Sequence, residues 1–256
     1  MNKKLLIVSI AAVVLIAAGI SASIAYADHS WGNYHWARTA NPLALNLGDN
    51  VSTIWDDYLA IASTDWSVSS VLNTMIVAGR TTSDPKKCRP TSGRIEVCSA
   101  NYGGAWLGLA QIWVSGGHIY QATTKVNDFY FNKAKYNTPA WKQFVMCQEI
   151  GHTFGLDHQD EIFNNTNLGS CMDYTNDPDG GVGGASATDP SNEHPNTHDY
   201  GQLETIYAHL EAFITNTFSR TSGAGVANAA DIDTSNPTEW GKVIRKSSDG
   251  RSSLYE

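Results

Sequence analysis

The sequence predicts an α+β domain. Short runs of alternating or continuous apolar residues crowd the first half of the chain, while three longer stretches carry apolar residues near 3.6 spacing, the period of a helix with one buried face. The length adds a third observation: the 229 residues that follow an N-terminal leader suit one domain with a sizeable core.

Residues 1–27 read as an export signal, with Lys3 and Lys4, an apolar run from Leu5 to about Ile20, and Ala25-Tyr26-Ala27 as a cleavage box before Asp28. The run from Leu5 to Ala25 is uncharged over 21 residues, so an uncleaved membrane anchor is the alternative. The box and the serines before it favour cleavage and a secreted chain. Leu43 to Leu47 follows as a first strand. Asp49 or Asn50 is placed to cap a helix through about Ser63, whose Ile54, Tyr58, Leu59 and Ala62 share one face. Trp66 to Val77 holds a second strand, Arg94 to Cys98 a third, Trp106 to Val114 a fourth and, after Ser115-Gly116-Gly117, His118 to Phe131 a fifth. Pro139 opens a helix running to about Phe154, with Trp141, Phe144 and Val145 facing inward. A loop rich in Asp, Gly, Asn and Ser from Thr175 to Thr197 leads into a last helix, roughly His198 to Ile214, built on Leu203, Ile206, Tyr207 and Leu210. Residues 28–218 form the domain, 219–238 are small, polar and breaker-rich as in a linker, and 239–256 alternate enough for a hairpin.

Without Lys3 and Lys4 the 17 basic side chains fall to 15 against 25 acidic ones, a net charge of −10. Nucleic acid is excluded as a partner on that balance.

The chemistry is concentrated in Gln148-Glu149-Ile150-Gly151-His152-Thr153-Phe154-Gly155-Leu156-Asp157-His158. Positions i and i+4 share a helix face, so Gln148 and His152 point at a common ion with Glu149 at its edge. Gly155 lets the chain leave the helix through positive φ, and the turn returns His158 to the same point. A catalytic zinc site needs three protein ligands, an open position for water and a carboxylate to take that water's proton. His152 and His158 are strong ligands and Glu149 is placed as the base. Gln148 offers a neutral oxygen, a weaker donor than imidazole.

Fourteen residues beyond His158 stands Met172, within Ser170-Cys171-Met172-Asp173-Tyr174. The two stretches together resemble the metzincin zinc peptidases. The first matches their H-E-x-x-H-x-x-G-x-x-H signature except at the first ligand, and S-x-M-x-Y is similar to the Met-turn of the astacin and serralysin branches. The resemblance covers roughly residues 34–214 in element order and is specific only over 148–174, with a core nearer the compact matrixin type. It implies a twisted, mostly parallel five-stranded sheet with an active-site helix and a C-terminal helix. It also implies zinc as cofactor, a peptide or protein as substrate, and the fourth strand (Leu107 to Ile112) as the substrate rim. By the same resemblance Met172 is the residue beneath the metal and Tyr174 an oxyanion stabiliser. Read without the family, Met172 is a core methionine and Tyr174 a structural aromatic.

For the metal, three readings stand: Gln148 ligates directly or through water; another group among Asp157, Asp160, His118, His194 and His198 completes the shell; or the site is degenerate and the domain binds peptides without turnover. Asp177, Asp179 and the glycines after them offer oxygen ligands for calcium, but the EF-hand spacing is absent and a solvated turn is the simpler reading. Four cysteines in an exported chain suggest two disulfides. Cys88 and Cys98 bracket a local turn, and Cys147 with Cys171 would tie the active-site helix to the Met-turn. Separate roles for the second pair, as buried thiols or metal ligands, remain the alternative.

Overall fold

The computed structural model describes residues 29–80, 84–182 and 188–215, together with the backbone of 243–246 and 253–255. The leader read over 1–27 and the linker over 219–238 lie outside these residues. In chain order the elements are β1 (His35–Trp36), β2 (Leu43–Asn50), α1 (Asp56–Trp66), β3 (Leu72–Ala78), β4 (Ile95–Ala100), β5 (Gly108–Ser115), β6 (His118–Asn127), α2 (Asp128–Phe131), α3 (Pro139–His152), α4 (Thr197–Ile206), β7 (Val243–Lys246) and β8 (Ser253–Tyr255).

The fold is α+β, with a mostly parallel main sheet of six strands. The five expected strands are all present, and the added one is β1, a two-residue strand too short to show a period. β1, β2, β3, β4 and β6 run parallel, while β5 returns antiparallel along β6 through the Gly116-Gly117 turn. On one side of β6, β1 pairs with His118 and Ile119 and β4 with Ala122 to Asn127, so β5 takes the other side as one edge of the main sheet, with β3 at the opposite edge. β7 and β8 pair as a separate hairpin, with β8 beside β5.

Alternation places Leu43, Leu45 and Leu47 of β2 in the core with Ile95 and Val97 of β4 and Ile112 of β5. Over this surface α1 lies against β3, α3 lies against β5 and β6, and the two helices pack on each other. Trp36, Trp55 and Trp66, all fully buried, fill the seams.

Several boundaries differ from the sequence reading. Asp49 and Asn50 do not cap α1. They extend β2, where Gly79 N–H donates to Asp49 O and Asn50 Nδ2 donates to the buried Glu96 carboxylate at 2.7 Å, so pairing on both flanks prolongs the strand. α1 then starts after the Ser52–Trp55 turn and runs to Trp66, whose burial holds the last turn and delays β3. The fifth strand stops at Asn127, because that side chain accepts the Phe129 N–H and caps α2. α4 ends at Ile206 rather than near 214: Tyr207 is buried, its carbonyl accepts from the Arg38 guanidinium, and the chain turns back so that Glu211 and Thr215 bond the backbone of Arg38 and Ala37. Among the described residues no helix is long and apolar enough to cross a membrane.

Candidate metal centre

The site is built on α3. Thr138 caps it, its hydroxyl accepting the Trp141 N–H, and Pro139 occupies the first turn, where its missing N–H costs nothing. A helix C-terminus leaves carbonyls without intrahelical partners. Here the Thr153, Phe154 and Gly155 N–H groups take the carbonyls of Ile150, Gly151 and His152, and other elements bond the carbonyls around them: Trp66 Nε1 donates to Cys147 O, Thr124 Oγ1 to Glu149 O, Trp36 Nε1 to Thr153 O and Tyr207 Oη to Phe154 O, at 2.9–3.2 Å. The end of α3 is therefore held from the sheet, from α1 and from the chain after α4. Gly155 follows at φ 99°, and a Cβ there would run into the Tyr34 carbonyl.

That turn returns His158 to His152. Their Nε2 atoms stand 3.1 Å apart with the rings nearly perpendicular. The His152 Nδ1 contacts the Leu156 carbonyl at 2.9 Å. A carbonyl only accepts, so Nδ1 carries the hydrogen and Nε2 presents a lone pair. Burial pushes the His152 imidazole down to about 4, against the Leu156 bond and with His29 adding to the shift, so the ring is neutral, the form a metal needs. Two zinc–nitrogen bonds of about 2.0–2.1 Å at a tetrahedral angle separate their nitrogens by roughly 3.3 Å. The pair fits a shared zinc ion on both protonation and spacing.

The remaining predicted residues surround this pair. Gln148 is buried one turn before His152, and its Nε2 donates to Asp173 O at 3.2 Å, which leaves Oε1 as its ligating atom. Glu149 is buried against β5, where Gly108 makes room for it: a Cβ at 108 would overlap the Glu149 side chain. Tyr174 packs edge-on to His158, with ring centroids 4.6 Å apart.

Met172 is fully buried and its sulfur lies where a Cβ on Gly151 would be, so the glycine admits the Met-turn against α3. Ser170 fixes the turn: its hydroxyl accepts the Met172 N–H at 2.9 Å and donates to Asp199 Oδ2 at 2.6 Å. Asp199 belongs to the capping box of α4, and burial raises its carboxyl above the usual range. Disulfides join Cys147 to Cys171 and Cys88 to Cys98, the pairs expected, and the described residues contain no free cysteine.

The alternative ligands are engaged in other ways. His194 contacts Asp65 at 2.6 Å, His118 faces Glu211, His198 stacks on His29, Asp157 accepts the His158 N–H, and Asp160 accepts from Ile162 and Asn165. Asp177 sits in a hydrogen-bonded turn with Thr175 and Gly180. Neither it nor Asp179 belongs to a convergent group of three ligating side chains among the described residues.

One residue at the site, Trp31, carries no sequence signal. Trp31 stacks flat on His152, with centroids 4.6 Å apart and planes at 7°. The segment bearing it runs antiparallel to 155–157, with Trp31 N–H on Gly155 O and Asp157 N–H on His29 O. The only cue was position, an aromatic just after the leader.

No protein-family model and no curated protein matches the sequence. Among solved structures the chain is similar to high choriolytic enzyme 1, a hatching enzyme zinc-protease from Oryzias latipes (medaka fish), at 10% sequence identity and a TM-score of 0.36, over 68% of this chain and 94% of that one.

Proposed function

We propose that the chain is an exported zinc-dependent metalloendopeptidase of the metzincin type. The observation that carries the reading is the meeting of the His152 and His158 Nε2 atoms, 3.1 Å apart on a turn fixed by Gly155, about one helical turn from a carboxylate facing β5. His152, His158 and, as a weaker third donor, Gln148 Oε1 would hold the ion. Zinc held there supplies Lewis acidity toward a water and a peptide carbonyl. Glu149 takes the proton of the attacking water and passes it to the departing amine. An extended peptide lies along β5, whose backbone bonds it by strand addition and sets its carbonyl above Glu149. The Tyr174 hydroxyl donates to the oxyanion as the carbonyl becomes tetrahedral. The leader read over 1–27 and the disulfides support export.

One observation favours a second reading, a peptide-binding domain without turnover: a buried neutral amide stands at the first ligand position and is already bonded to Asp173 O. The test is elemental analysis of the mature protein purified without added zinc, with cleavage of an unstructured protein substrate measured alongside. Zinc lost in His152→Ala and cleavage lost in Glu149→Gln is the expected result. A folded protein with no ion at His152 and no cleavage overturns the enzyme, and retained peptide binding would then establish the second reading.

A further inference from the structure

Three other ligating side chains, His35, His209 and Glu211, converge at the end of the sheet where β1 meets β6, with His118 beside them, sharing no residue with the site on α3. Glu211 Oε1 lies 2.8 Å from His35 Nε2, 2.9 Å from His209 Nε2 and 3.5 Å from His118 Nε2. His35 and His118 face each other across the β1–β6 register, and His209 and Glu211 arrive on the chain that turns back after α4. The ring centroids of His118 and His209 lie 4.8 and 5.1 Å from that of His35.

The hydrogen bonding prepares these atoms for a cation. The other Glu211 oxygen, Oε2, accepts the Arg38 N–H at 2.9 Å, and Glu211 N–H donates to Arg38 O, so the carboxylate is fixed with Oε1 turned to the imidazoles. The His35 Nδ1 lies 2.7 Å from the Asn33 carbonyl, which can only accept. In the neutral ring Nε2 is then a lone pair pointed at a carboxylate oxygen, a contact that either a proton on Nε2 or a cation between the two atoms satisfies. A ring anchored by Nδ1–H to a carbonyl, with Nε2 facing inward, is the arrangement of metal-ligating histidine. Imidazole and carboxylate together suit zinc, nickel or copper(II) and do not suit calcium or magnesium. His209 is mostly exposed, so an ion can enter from solvent.

We propose that His35, His209 and Glu211, with His118 close by, form a second transition-metal site, of the zinc class, that fastens residues 208–215 to the β1–β6 end of the sheet. The role is structural: the site joins the start of the domain to its last described segment, where Ala37 and Thr215 already exchange hydrogen bonds.

The experiment uses the full mature chain, stripped with chelator and equilibrated with zinc, with bound metal measured by elemental analysis and affinity by calorimetry. The wild type is expected to hold two ions per chain, and His152→Ala/His158→Ala to keep one. Adding His209→Ala and Glu211→Gln should weaken that remaining ion roughly tenfold or more. The glutamine retains an acceptor for the Arg38 N–H, and His209 has little packing to lose. A folded His152→Ala/His158→Ala chain that binds no zinc overturns the proposal. If that variant does not fold, His209→Ala/Glu211→Gln in the otherwise unchanged chain decides: one ion fewer than wild type supports the second site, and an unchanged count refutes it. Loss of the His152 ion with retention of this one would instead remove the proposed peptidase and leave this inference standing.

Discussion

At the residue scale, Glu149 and Gln148 are adjacent in sequence and opposite in consequence. Glu149→Gln keeps the volume beside Gly108 and removes the proposed base, so the proposed cleavage is expected to fall at least about a hundredfold with thermal stability near that of the wild type, checked by initial rates and calorimetry. Gln148→His places an imidazole one turn before His152 and is expected to tighten zinc roughly tenfold or more, read by competition with a chromophoric chelator. His152 sets a pH dependence. Its folded value, about 4, lies below its ordinary 6.5, so the unfolded chain binds more protons between those values. The stability that the buried neutral ring contributes is complete above pH 6.5 and is lost as pH falls toward 4, on the order of 3 kcal/mol in the metal-free protein. Denaturant midpoints of the apoprotein from pH 7 to 4 should therefore fall less steeply in His152→Gln; parallel slopes would show that the ring does not enter the site neutral. Much of this scale was legible from sequence, because Gln148, Glu149, His152 and His158 are fixed by helical spacing and one turn. Trp31 was not, since nothing local links it to a histidine 121 positions later.

At the element scale, α3 shows how far periodicity reaches. Its start at Pro139 and its inward residues follow from local chemistry, and so does its exit through Gly155. The exit tolerates no side chain: Gly155→Ala adds positive-φ strain to a collision with the Tyr34 carbonyl, together on the order of 3 kcal/mol, and should also loosen metal binding by displacing His158. Equilibrium unfolding and a zinc titration of the variant check both effects. What holds the helix end was not legible. The donors on the carbonyls at and just past its end come from Trp66, Thr124, Trp36 and Tyr207, up to 117 residues away in the chain. The strand ends were misjudged for a similar reason, since Asp49 and Asn50 are turn formers by propensity and become strand only because β3 and β4 flank them.

At the scale of the whole molecule, the disulfide Cys147–Cys171 and the Ser170–Asp199 bond join α3, the Met-turn and α4 into one body under the site. Replacing both cysteines with alanine reopens a loop whose closure is worth about 3 kcal/mol, a fall in Tm of roughly 10 °C measurable by differential scanning calorimetry. Metal affinity should weaken with it, because Asp173 O, which orients Gln148, sits two residues from Cys171. By itself the sequence determined the α+β class, the order of the elements and the residues of the α3 site, since helical and strand periods, glycine turns and ligand spacing act over a few residues. Only the tertiary structure decided that β5, read as a rim by resemblance alone, pairs antiparallel at one edge of the sheet and that the segment carrying Trp31 covers His152. It also decided that His35, His118, His209 and Glu211, spread over 177 positions, share one carboxylate oxygen. Those placements follow from burying the apolar faces of sheet and helices together, which brings distant chain segments into contact and leaves no trace in local pattern.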